Sequence, residues 1–127
     1  MNETTREWVF KAERDYSTAG RELQVEESPN PDAVCFHAQQ CIEKLMKGLM
    51  ILGVIPPKSH DLFHLDQLLS PVCQEWSWPT EDLRFLTRAA VDFRYPGESA
   101  DHEEATQAFD IATRMREQLL SLFDESV

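Results

Sequence analysis

Residues 30–53 read NPDAVCFHAQQCIEKLMKGLMILG, and the rest of the chain is organised around them. Asn30 suits a helix N-cap, and Pro31 suits the first helical position, where its missing N–H is no loss. At the far end Gly53 can adopt the left-handed conformation that closes a helix, and Pro56-Pro57 prevents continuation. Between these limits Val34, Ala38, Cys41, Leu45, Gly48, Leu49 and Leu52 recur at steps of three and four, which places them on one helical face. Phe36, Ile42, Met46 and Met50 widen the apolar surface beyond a single stripe. A helix that is apolar around most of its circumference packs on several sides. The stretch therefore predicts a central core helix.

Working outward, the full chain has 127 residues, enough for one domain spanning 1–127 that buries a core without disulfides. Its 42% hydrophobic content excludes global disorder. Only four Gly and long runs of helix formers point to an all-α domain. The 23 acidic residues outnumber the 12 basic ones, for a formal charge of −11. Affinity for polyanions comes mostly from Lys and Arg neutralising phosphates, so this balance argues against non-specific binding to nucleic acid or to anionic membranes. Cys35, Cys41 and Cys73 make an odd count, and the polar N-terminus MNETTREW lacks the apolar segment of a signal peptide. No apolar run is long enough to span a bilayer. Free thiols in a cytoplasmic setting are the expectation.

Taken in order, a first helix is predicted from Thr4 or Thr5 to about Gln24, with Trp8, Ala12, Tyr16, Ala19 and Leu23 inward. Its other face mixes both signs, as solvated surfaces do. A short Pro-containing loop then implies an antiparallel hairpin with the central helix. A short helix follows Pro57, with Ser59 as cap and Leu62, Leu65, Leu68 and Leu69 inward. Thr80 is expected to cap a fourth helix carrying Leu83, Leu86, Ala90 and Phe93 inward. Pro96-Gly97 breaks it. Ser99 starts a last helix with Ala105, Ala108, Ala112, Met115, Leu119 and Leu122 on one face. The predicted architecture is an antiparallel up-and-down bundle of four to five helices.

Three blocks of sequence are similar to the HEPN domain family. They are WVFKAERDYSTA from Trp8 to Ala19, CFHAQQCIEKLMKGLM from Cys35 to Met50 followed by PPKSHDLFHL, and FRYPGE from Phe93 to Glu98 followed by EEATQAFDIA. The resemblance implies a helical bundle that commonly forms homodimers and often accompanies a minimal nucleotidyltransferase. With no nucleotidyltransferase segment in this sequence, such a partner is expected on a separate chain, in a toxin–antitoxin-like system. The resemblance implies no metal and no cofactor. It leaves two activities open: a metal-independent RNase, or a binding module for a partner, a nucleotide or RNA.

The family's RNase motif is an Arg, about four to six intervening residues, then a His. Carried onto this chain, the Arg is Arg94 and the next histidine is His102, with seven residues between them. In that reading His102 lies in the first turn of the last helix, where the positive end of the helix dipole favours a neutral imidazole able to accept a proton from an RNA 2′-OH. Arg94 would stabilise charge on the phosphate. The opposing reading makes Arg94 a structural residue paired with Asp15 or Asp92, and His102 a surface residue. Glu98, Asp101, Glu103 and Glu104 crowd the same turn and repel a phosphate backbone.

For binding, the candidates are Arg94, Tyr95, Gln40, Lys44 and Lys47. Gln39, Gln40, Glu43, Lys44 and Lys47 form a polar strip on the otherwise apolar central helix. It reads first as a solvated edge with an i,i+4 Glu43–Lys47 pair, and second as a groove near Arg94 or the polar part of a dimer interface. Arg84 and Arg88 suggest a basic rim, with Glu81 and Asp92 placed to neutralise them. His60 and His64, and His37 with Cys41, have the i,i+4 spacing of metal ligands but no third ligand, so no metal site is expected. Trp76 and Trp78 either mark a partner contact or cover one end of the bundle. No phosphate-binding Gly loop, nucleophile elbow or Ser-His-Asp pattern occurs.

Overall fold

The computed structural model describes residues 1–93 and 95–125. Among the described residues there are five helices and no strand: α1 (Glu3–Leu23), α2 (Pro31–Met50), α3 (Leu62–Leu69), α4 (Thr80–Asp92) and α5 (His102–Glu125). The all-α bundle expected from the sequence is what the chain forms. No helix among these residues is long and apolar enough to cross a membrane.

Several boundaries move by a few residues, each for a local reason. α1 starts before Thr4 because the Asn2 side chain accepts from Thr5 N–H at 2.8 Å and caps the helix. α3 is capped by Asp61, whose Oδ1 accepts from Phe63 N–H at 3.0 Å; Ser59 instead accepts from Asp61 N–H one step earlier. Pro79, not Thr80, occupies the cap position of α4, which has no side-chain cap hydrogen bond. α5 starts at His102 rather than Ser99, because Asp101 and Glu104 close a reciprocal capping box there.

The end of α2 corrects the reading of Gly53. The helix stops at Met50, and Gly53 and Val54 both donate to Met50 O, at 2.9 and 2.8 Å. Among the described glycines only Gly97 has a positive φ, so Gly53 does not close the helix in the left-handed region. What Gly53 provides is close approach: a Cβ there would lie 2.8 Å from Val72 Cγ1. Leu52 therefore leaves the helical face and is exposed.

α2 is the hub, packing against α1, α3, α4 and α5. Cross-helix contacts set the directions. Trp8 meets Gly48 while Asp15 meets His37, so α1 runs antiparallel to α2. Phe123 meets Gly48 while Ala100 meets Asp32, so α5 runs parallel to α2. Tyr16–Thr113 and Glu13–Arg116 then tie α1 antiparallel to α5, with the Arg116 guanidinium bidentate on Glu13 and 4.3 Å above the Tyr16 ring. Side-chain hydrogen bonding to Glu13 raises the Arg116 pKa further.

Trp76 is buried, and its Nε1 donates to Asp66 at 2.7 Å. Trp78 stacks on Trp76 and donates to Asp82 at 2.9 Å. The pair covers the α3–α4 end of the bundle, the second of the two roles expected for them.

Cys35 and Cys41 are buried in the core, whereas Cys73 is half-buried. Burial, and behind it the carboxylates of Asp32, Glu104 and Asp101, pushes the Cys35 thiol from 9.0 up to about 12. Burial likewise holds the Cys41 thiol far above its usual range. Because the thiolate is the nucleophile, iodoacetamide at mildly alkaline pH is expected to label Cys73 first and to reach the other two only on unfolding. Mass spectrometry of timed samples reads this directly; early labelling of Cys35 would contradict it. Raised folded-state pKa values also mean that these thiols contribute stability below the unfolded value of 9.0 that is lost as pH climbs towards about 12.

Candidate functional site

Two polar clusters run along α2, and both are buried more deeply than a solvated edge. The first joins α2 to α1. His37 and Lys44 are two turns apart on one face of α2, and both reach Asp15 on α1. His37 Nδ1 lies 2.8 Å from Asp15 Oδ1, and Lys44 Nζ donates to Oδ2 at 2.5 Å. Asp15 is buried although it stands in the charged first helix, because it occupies the inward stripe between Ala12 and Ala19. That register, three residues after Ala12 and four before Ala19, was the signal available in the sequence.

The second cluster joins α2 to the segment before α3. Gln39, Glu43 and Lys47 follow at i, i+4 and i+8, and all three are buried. Glu43 Oε2 accepts from Lys47 Nζ at 3.1 Å. Its Oε1 accepts from Gln39 at 3.1 Å and Gln40 at 3.3 Å, and lies 2.9 Å from His60 Nδ1. Gln39 also donates to His60 O at 2.9 Å, which pins the loop onto α2. The expected Glu43–Lys47 pair is therefore present, but its side chains are only 5% and 7% exposed. A buried charge pair persists only when its remaining hydrogen-bonding capacity is satisfied, and here Gln39, Gln40 and His60 do that.

The connection between α4 and α5 returns to the start of α2. Ala100 N–H donates to Asp32 Oδ1 at 2.6 Å. Asn30, Asp32, Ala33, Phe36, His37 and Phe93 line a cleft of about 370 Å³ at this corner. His102 is exposed in the first turn of α5, and its carbonyl accepts from Thr106 Oγ1. On either side of it Asp101 N–H donates to Glu104 Oε1 at 3.1 Å, and Glu104 N–H donates to Asp101 Oδ1 at 2.7 Å. Asp32, Asp101 and Glu104 all bear on buried Cys35, so the corner carries a concentrated negative field.

The residues singled out from the sequence thus separate. Gln40 and Lys47 belong to the Glu43 cluster, Lys44 to the Asp15 cluster, and Tyr95 is 64% exposed on the turn before Gly97. Arg94 lies outside the described residues, and with it the Arg94–His102 geometry and any pairing of Arg94 with Asp15 or Asp92. Asp15 has His37 and Lys44 as partners. Among the described residues no group of three or more His, Cys, Asp or Glu is placed to hold a metal ion.

The chain is thus an all-helical bundle whose central helix buries Gln39, Glu43 and Lys47. The chain belongs to the HEPN domain family, whose model matches residues 5–122. Its fold is similar to the crystal structure of TT1696 from Thermus thermophilus, with a TM-score of 0.73 at 20% identity over 93% of this chain and 97% of that one. It is also similar to ST0689, an archaeal HEPN homologue, with a TM-score of 0.65 at 22% identity over 92% and 95% of the two chains. No curated protein matches the chain.

Proposed function

We propose that this HEPN chain is an interaction module rather than a nuclease. Residues 1–127 act as one domain that pairs with a second copy of itself and docks a minimal nucleotidyltransferase carried on another chain, in a cytoplasmic, toxin–antitoxin-like system. A nucleotide or similar small polyanion is its ligand. The observation that carries this reading is the setting of His102. The only histidine near the end of the Arg94 block stands between the two carboxylates of a capping box, with exposed Glu103 beside it. Like charges in that turn oppose the approach of a strand's phosphates, while the lysines of α2 are engaged with Asp15 and Glu43.

The second reading, a metal-independent endoribonuclease using Arg94 and His102, keeps one point in its favour: the His102 side chain is exposed, as a base acting on an RNA 2′-OH has to be. Expression of wild type and His102→Ala, followed by growth curves and RNA integrity gels, separates the two. The module reading expects no RNA cleavage and no growth difference between the two proteins. Toxicity relieved by His102→Ala would overturn it in favour of the nuclease.

A further inference from the structure

Among the described residues α1 packs against α2 and α5 and against no other helix, which leaves one of its faces in solvent. Along that face Glu3, Glu7, Phe10, Arg14, Ser17 and Arg21 follow at alternating steps of four and three, and all six are exposed. That spacing lets two helices pair along a continuous seam. Phe10, in the middle of the stripe, is a large apolar side chain left 60% exposed. The charges are sorted by position: the acids Glu3 and Glu7 precede Phe10, and Arg14 and Arg21 follow it. Glu3, Arg14 and Arg21 make no ion pair among the described residues, and Glu7 has an exposed contact with Lys11 at 3.8 Å.

We propose that this stripe is the seam on which α1 of a second copy of the chain lies antiparallel, an inference that rests on the reading of the module as one that pairs with itself and says which face does so. The sorting of charge selects both the occupant and its direction. An antiparallel copy, related by a two-fold axis at the level of Ala12, sets Glu3 opposite Arg21 of the second copy. Glu7 then falls opposite Ser17 of the second copy, in the gap between its two arginines, and Phe10 falls opposite Arg14 of the second copy. The two-fold axis makes every one of these contacts twice. A parallel copy would instead set each charge against itself. The Arg14 guanidinium already lies 5.6 Å from the centroid of its own Phe10 ring, so the central contact extends an existing cation–aromatic arrangement.

The acids beside the basic half do not compete for it. Glu13 is held by both nitrogens of the Arg116 fork, and Glu22 is half-buried on the flank of α1. An RNA strand laid along the stripe would meet the acids of its first half as well as the arginines of its second, so the pattern suits a copy of itself better than a polyanion. From Glu3 to Arg21 the seam is about 27 Å long, one helix wide and dominated by exposed charge. Such a contact is small for a protein interface and is screened by salt, so the dimer is expected to be of modest affinity and to weaken as ionic strength rises.

Sedimentation equilibrium of the full chain tests the seam. The wild-type dimer is expected to weaken about tenfold or more between about 50 mM and about 500 mM salt, a measurement that needs no variant to fold. Glu3→Lys/Glu7→Lys makes the seam wholly basic and Arg14→Glu/Arg21→Glu makes it wholly acidic. Each is expected to weaken self-association about tenfold or more by itself, and an equimolar mixture of the two to restore a dimer. Arg84→Glu/Arg88→Glu makes the same change of net charge as the acidic variant, at exposed positions on α4, which does not pack against α1, and is expected to leave the dimer unchanged. Melting curves establish that the variants fold. A wild-type dimer that persists in both seam variants overturns this location while leaving the self-pairing reading standing. A wild type that stays monomeric up to about 1 mM overturns both. A mixture that stays monomeric, a dimer indifferent to salt, or a dimer lost in the α4 control overturns the charge-paired antiparallel seam. So does an RNA oligomer that binds wild type and is lost in Arg14→Glu/Arg21→Glu, since the stripe would then serve a polyanion.

Discussion

Glu43→Ala is expected to cost about 3–5 kcal/mol of folding stability, because it strands Lys47 as a buried, unpaired ammonium. Both side chains are more than nine-tenths removed from solvent, so water cannot take over the role of the lost carboxylate. The same substitution leaves the Gln39 and Gln40 amides and the His60 ring without their shared acceptor, and so loosens the loop that precedes α3. Domains of this size are stable by about 5–15 kcal/mol in total, and the loss is a large share of that. Urea unfolding followed by circular dichroism measures it, and a change below about 1 kcal/mol would refute the account, since that is the range of a surface pair. The arrangement of the cluster predicts a rescue. Replacing both partners with apolar residues of similar size, Glu43→Leu with Lys47→Met, removes the stranded charge and is expected to recover the share of the loss that comes from unpaired Lys47, while the share from Gln39, Gln40 and His60 remains.

Gly48→Val is the second large effect. Gly48 sits between α1 and α5: a Cβ at that position would lie 3.0 Å from Trp8 Cβ on α1 and 3.1 Å from Phe123 Cζ on α5. The first neighbour is bonded to the α1 backbone and cannot swing aside, and Phe123 is itself buried. Overfilling a packed core costs about 1–3 kcal/mol, and a branched side chain at this junction is expected near the upper end. Alanine is the informative companion, since leaving glycine inside a helix gains about 1 kcal/mol in propensity, which offsets part of the clash. The expected order of melting temperature is wild type, then Ala, then Val, with Val lower than wild type by roughly 5–10 °C for a chain of this length. A Val variant as stable as wild type would mean that α1 and α5 can retreat from α2 at little cost.

Much of this was legible before any coordinates. The apolar periodicity of residues 30–53 identified α2 as the core helix, and the five elements follow in the order read from the sequence. The errors lie at ends, where a one-residue choice of cap decides the boundary: Asn2 before α1, Asp61 before α3, Asp101 before α5. The polar strip of α2 was visible as a strip, and its Glu43–Lys47 pair followed from spacing alone. Its burial was not visible, because burial depends on α3 and its preceding loop closing over Gln39 through His60.

The candidate site divides in the same way. Arg94 and His102 were found by motif, and the acidic surroundings of His102 were already apparent in Glu98, Asp101, Glu103 and Glu104. What depended on tertiary structure was which charges pair with one another. Sequence proximity suggested that Glu81 and Asp92 would neutralise Arg84 and Arg88, yet neither does among the described residues. Conversely Lys44, which looked available, is held by Asp15 from a helix 29 residues earlier in the chain.

Sequence alone determined the helical class and the central place of α2, because periodicity and turn residues act over a few neighbouring positions; the HEPN family was legible through the similarity of three sequence blocks. Tertiary structure alone decided which charges are spent within the fold and which face solvent. Ion pairing is settled by distances of a few ångströms between helices, and helical spacing does not specify which residues of two helices lie opposite each other. The helix that reads most clearly in the sequence therefore has its lysines committed to Asp15 and Glu43.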